Sequence, residues 1–96
     1  MLNSKQRSYL RGEANELDPI IHVGKEGVTK ALLEHLEEAL DDHELLKGRV
    51  LDNAPRGVKE MAHILAEETG ADVVQVIGGI FVLYRPNPED PYYELP

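Results

Sequence analysis

Four residues, Gly24-Lys25-Glu26-Gly27, stand between a short apolar run at 20–23 and a helical pattern that begins at 28. Glycine at 24 and 27 permits positive φ and removes side chains, so a sugar-phosphate backbone could approach the main chain closely. Lys25 offers a point charge to a phosphate oxygen. The free N–H groups and partial positive charge at the start of the following helix, where Lys30 also stands, favour the same kind of ligand. Taken alone, a G-x-x-G turn fits a tight strand-to-helix joint equally well. The pattern G-x-x-x-x-G-K-[ST] of nucleotide-hydrolysing loops is absent.

Other residue types that do chemistry are present without the spacing that chemistry needs. His22, His35, His43 and His63 include no i, i+4 pair, and the chain has no cysteine, which argues against a metal site and excludes disulfides. Glu37, Glu38, Asp41 and Asp42 could suggest Mg²⁺ binding or acid–base work. They lie along a polar helix face with no aromatic wall or glycine-rich cleft, so a solvated surface is expected. No nucleophile can be placed beside a base and an orienting group. The expectation is a protein without catalytic residues, metal or cofactor.

The elements that must position the glycine turn follow from periodicity and punctuation. Asn3 and Gln6 predict a capping box opening a first helix, with Leu10, Ala14 and Leu17 on its buried stripe and Asp18-Pro19 as its stop. A strand at 20–23 and the glycine turn lead to a second helix with Val28, Leu32, Leu36, Ala39 and Leu40 on one face. A second strand at 45–51 precedes a third helix opened by Asn53 and Pro55, with Val58, Met61, Ala62 and Leu65 inward and Gly70 at its C-terminus. Runs at 73–77 and 80–84 flank Gly78-Gly79 and predict a hairpin. The order α-β-α-β-α-β-β predicts an α/β, two-layer domain with a four-stranded mixed sheet, parallel across its crossovers. Helices two and three belong on one face. Val73, Ile77, Ile80 and Val82 are expected to line the other, partly covered face.

In such a sheet, ligands meet the carboxyl ends of parallel strands. That edge gathers Lys25, Lys30, Arg49, Arg56 and Lys59 against Glu26, Asp52 and Glu60, while the acidic run at 34–44 points away from it. Net charge is −8, but the segregation predicts a dipole with its positive end at the glycine turn. Lys47 and Arg49 alternate with Leu46, Gly48 and Val50, so the two cations share one face. Lys5, Arg7 and Arg11 form an acid-free N-terminal stretch, with Arg7 and Arg11 one helical turn apart, and are further candidates for phosphate contact. Tyr84 is expected to pack beneath the first helix, and Tyr92 and Tyr93 to anchor the tail. Residues 1–86 read as one domain and 87–96 as a proline-rich C-terminal tail. No apolar run is long enough to span a membrane, and the N-terminus lacks the apolar stretch of a secretory signal. A soluble cytoplasmic protein of bacterial type is expected.

Six blocks in order, KQRSYLR at 5–11, VGKEG at 23–27, HELLK at 43–47, ETGA at 68–71, VQVIG at 74–78 and VLYRP at 82–86, resemble the YhbY family of small bacterial RNA-binding proteins. That family is the stand-alone form of the CRM (chloroplast RNA splicing and ribosome maturation) domain. The resemblance covers nearly the whole chain. It implies a fold similar to the C-terminal domain of bacterial translation initiation factor three, and RNA binding through the G-x-x-G turn, Gly24 to Gly27, in the manner of a KH-domain loop. It also implies association with precursors of the large ribosomal subunit, hence ribosomal RNA and ribosomal proteins as partners. Family members are usually more basic than this chain. Gly48 stands where a β-branched residue is common, so the second strand is expected to be bulged or weak there. A different reading makes the acidic end of the second helix a docking surface for a basic protein.

Overall fold

The computed structural model describes residues 2–96. Its elements are α1 (Ser4–Ala14), β1 (Pro19–Val23), α2 (Lys30–His43), β2 (Leu45–Val50), α3 (Val58–Thr69), β3 (Asp72–Ile77) and β4 (Ile80–Tyr84). The strands form one mixed sheet in the order β1-β2-β4-β3. β1 and β2 are parallel neighbours, whereas β4 lies antiparallel between β2 and β3. β2 and β3 therefore run in one direction without touching. The carboxyl ends of β1, β2 and β3 share one edge, called the upper edge below.

Local chemistry explains where the helices start and stop. Asn3 and Gln6 form the reciprocal capping box, with Gln6 N–H donating to Asn3 Oδ1 at 2.8 Å. α1 ends at Ala14, before Asp18-Pro19, and Leu17 continues its apolar stripe from outside the helix. Gly70 closes α3 in the left-handed region at φ 74°. Gly78 occupies positive φ in the two-residue hairpin turn. Two helix starts fall later than the sequence suggests. α2 begins at Lys30, because Thr29 Oγ1 accepts the Leu32 N–H at 3.0 Å; Val28 precedes the helix and packs against the core. α3 begins at Val58, and Asn53 and Pro55 belong to an irregular loop before it.

Helices α2 and α3 cover one sheet face. Leu36, Leu40, Met61 and Leu65 meet Ile21, Leu46, Phe81 and Leu83 there, and all eight are fully buried. α1 covers part of the other face, where Leu10 and Ala14 pack with Leu45, Val74, Val82 and Tyr84. Residues 87–96 form no helix or strand, and their Tyr93 and Leu95 join this second cluster. Tyr93 meets Tyr84 edge to face at 6.4 Å. Tyr92 is held differently: its ring is exposed, and its N–H donates to Glu44 Oε2 at 2.8 Å.

Two expectations about the sheet are corrected. Val73 lies on the α2–α3 side, because the β3–β4 pairing shifts between Val73 and Gln75; Val74 takes the place beneath α1. A simple alternation from Val73 fails across that irregularity. Gly48 does not bulge β2 itself, which stays in continuous register with β4 from Leu45 to Arg49; the irregularity lies in the neighbouring β1, whose pairing shifts between Pro19 and Ile21, opposite Lys47 and Gly48. Gly48 faces Phe81 across the strands, and a Cβ there would come within 2.6 Å of ring atoms Cε1 and Cε2. The ring occupies the space that a β-branched side chain would need.

Candidate nucleic-acid interface

Three loops converge on the upper edge. The glycine turn leaves β1, residues 51–57 leave β2, and Gly78-Gly79 joins β3 to β4. They are tied to one another through the backbone. Leu51 N–H donates to the Val23 carbonyl at 2.9 Å, and Val50 N–H to the Gly79 carbonyl at 2.8 Å. The turn itself closes through Gly27 N–H on the Gly24 carbonyl at 3.0 Å.

The two glycines of the turn differ in role. Gly27 is buried at φ 65°, and a Cβ there would stand 2.8 Å from Pro55 Cγ and 3.5 Å from Met61 Cε. It fastens the turn to the neighbouring loop. Gly24 is half-buried, its φ is not positive, and a Cβ would make only ordinary contacts with Leu51 and Asn53. Between them, Lys25 and Glu26 are exposed. Close approach of a ligand is thus possible at the 24–26 side of the turn, and Gly27 supports it from behind.

The helix ends on this edge also differ. Thr29 caps α2, leaving fewer free donors there than the glycine turn suggested. Gly57 caps α3 without any side-chain hydrogen bond, so donors of its first turn stay open. That helix end borders a groove lined by Asp52, Pro55, Arg56, Gly57, Gly78 and Gly79. Open N–H groups with the helix dipole behind them make this the better anion-binding end of the two.

The candidate cations fall into distinct settings. Lys25, Lys30, Arg49 and Lys59 are exposed on or beside the upper edge. Arg56 is exposed as well, and its guanidinium donates to Glu60 at 2.8 Å. Such a surface pair contributes about 0–1 kcal/mol, so a phosphate could compete for the arginine. Lys47 is half-buried on the same sheet face as Arg49. Lys5 and Arg11 are exposed on α1. Arg7 has a partner inside the protein: its guanidinium donates to the carbonyls of Val73 and Val74, at the irregularity of edge strand β3. It satisfies backbone that an edge strand leaves open.

The opposite end is acidic but not simply solvated. Arg85 donates to Glu37 at 2.9 Å, to Asp41 at 2.8 Å and to the Thr69 carbonyl at 2.8 Å, joining α2, α3 and β4. Glu44 is buried at φ 62°, with Oε2 accepting from Tyr92 and Oε1 without a partner. Arg85, a single cation just beyond the last strand, carries no periodic signal. Gly78-Gly79 and Gly57 had signals, in the topology and in the position before a helical stripe, but their place on the edge required the strand directions. Among the described residues, no three side chains are grouped to hold a metal, and no helix is long and apolar enough to cross a membrane.

A four-stranded mixed sheet with two helix N-termini, a glycine turn and exposed lysines and arginines on one edge defines a small α/β domain. The chain belongs to the CRS1 / YhbY (CRM) domain family, whose model matches residues 2–85. It is 38% identical over 96 residues, covering all of both chains, to a Bacillus subtilis protein named "Probable RNA-binding protein YqeI". It is 42% identical over 89 residues to a Haemophilus influenzae protein named "RNA-binding protein", covering 92% of this chain and 89% of the relative. The solution structure of a Staphylococcus aureus protein, described as a candidate RNA-binding protein, matches with a TM-score of 0.84 at 41% identity, over the full length of both.

Proposed function

We propose that this chain binds RNA by its sugar-phosphate backbone at the upper edge and acts, without catalysis, in assembly of the large ribosomal subunit in the cytoplasm. The observation that carries the reading is the convergence of a glycine turn with Lys25 and Glu26 exposed, the open N-terminus of α3 and five exposed cations on one edge. RNA as the ligand class is supported by the names of its relatives in Bacillus and Haemophilus. Lys25, Lys30, Arg49 and Lys59 supply charge; Gly24 gives access to the main chain; Gly27 holds the turn in place. At the acidic end Arg85 engages Glu37 and Asp41 and leaves Glu34, Glu38 and Asp42 exposed; a basic protein docked there is the rival reading, and it has no convergence of loops comparable to that of the upper edge.

The test is co-sedimentation with large-subunit precursors, followed by sequencing of RNA crosslinked to the protein. Lys25→Glu combined with Lys59→Glu alters only exposed side chains and should abolish the association. Association at the unmodified level would defeat the proposal. Crosslinks confined to messenger or transfer RNA would keep RNA binding and remove the ribosomal assignment.

A further inference from the structure

The sheet face that carries α1 is only half covered, and the uncovered half adjoins the upper edge. Cross-strand register places four residues in one row there: His22 beside Arg49, Arg49 beside Ile80, and Ile80 beside Ile77. The row crosses all four strands, a width of about 14 Å at ordinary strand spacing. His22 and Arg49 are exposed, Ile80 is half-buried, and Ile77 is 61% exposed. In the next row down, Lys47 and Gln75 flank Val82, which is buried beneath α1. The helix therefore stops one row short of the edge.

The charge of this face is unlike that of the rest of the molecule. The chain holds 18 acidic residues, yet the four strands contain only Asp72, at the lower end opposite Tyr84. A solvated sheet face in so acidic a chain would be expected to carry acids. This one offers Arg49, Lys47 and an imidazole beside two bare isoleucine side chains.

We infer that RNA held at the glycine turn continues over this edge onto the open row. This inference rests on the RNA-binding reading above. Arg49 stands at the junction and would take a phosphate from either side. His22 and Lys47 would hold the next phosphates, and Ile77 and Ile80 would contact sugars or base faces. The acid-free charge and the continuity with the upper edge favour RNA over a protein as the occupant.

Amide chemical shifts, followed during titration with single-stranded RNAs of mixed sequence, test the path. A strand of about four nucleotides is the length that a G-x-x-G loop clamps. It should move the amides of the glycine turn, Lys30, Arg49 and residues 51–59, and leave those of His22, Ile77 and Ile80 in place. A strand of about twelve nucleotides should also move His22, Ile77 and Ile80. The double variant His22→Glu with Ile77→Glu changes two exposed side chains. It should weaken the longer RNA at least about tenfold and leave the shifts caused by the shorter RNA unchanged. If the longer RNA moves the loops alone and the double variant binds it normally, the inference is wrong and the loop reading stands. If neither RNA moves any amide, the RNA-binding reading fails and the inference with it. Loss of ribosomal co-sedimentation with intact binding of the longer RNA would make the row a protein contact and overturn the inference.

Discussion

At the residue scale, the glycines decide more about packing than about ligand access. Gly27→Ala would combine positive φ with a Cβ pressed against Pro55. The expected cost is about 1–3 kcal/mol, read as a lower urea midpoint. Lys25→Ala removes one exposed charge and should leave that midpoint unchanged while weakening RNA binding. A stable Gly27→Ala would contradict the tight joint between the two loops. Gly48→Ala should cost at least about 2 kcal/mol, because the buried Phe81 ring must move to admit even a methyl group. Wild-type stability of that variant, by the same measurement, would mean that the ring is free to yield. Sequence patterns reveal that these residues are glycines in turns and strands. They do not reveal which neighbour fills the space, since Phe81 and Pro55 reach Gly48 and Gly27 only through the fold.

At the element scale, the order of helices and strands was legible because each boundary has local chemistry. The Asn3–Gln6 box, Gly70 and Gly78-Gly79 all act within a few residues of themselves. The starts of α2 and α3 were misplaced for the same reason in reverse. Val28 is apolar at helical spacing but belongs to the loop, and Pro55 resembles a helix opener although it packs on Gly27. The irregularity in β3, with Arg7 bound to its carbonyls, depends on α1 lying beside that strand and had no sequence signature. The same face supports a pH prediction. Burial, followed by the Glu44 charge, raises Tyr84 above the ordinary phenol value of 10.0. Burial, followed by Glu13, raises Tyr93 above 10.0. The folded state then keeps these protons longer than the unfolded state does. The stability from this difference is present below pH 10 and is lost as pH rises above it. Denaturant midpoints should therefore fall from about pH 10 upward, and Tyr93→Phe should lessen the fall. A midpoint that is flat through this range would contradict the burial of the two phenols by α1 and the tail.

At the scale of the whole molecule, the central feature is separation of charge in a chain of net charge −8. Both α2 and α3 start at the upper edge, so their dipoles add to the cations there. At the far end, acids accumulate and Arg85 ties part of them down. This arrangement lets an acidic protein present a cationic surface to one ligand, since recognition follows local potential. The candidate site was legible as a set of charges on one edge. Its division into free lysines, the paired Arg56 and the enclosed Arg7 was not, because partners such as Glu60 and the β3 carbonyls are assigned only by packing. Salt dependence of RNA affinity tests the account most directly. If about three to five phosphates are neutralised, log K should fall against log salt with a slope of roughly −2 to −4 for a single strand. Lys25→Ala should make that slope shallower by about 0.7. A flat response in the unmodified protein, or the same slope in both, would contradict a phosphate-binding edge built around Lys25.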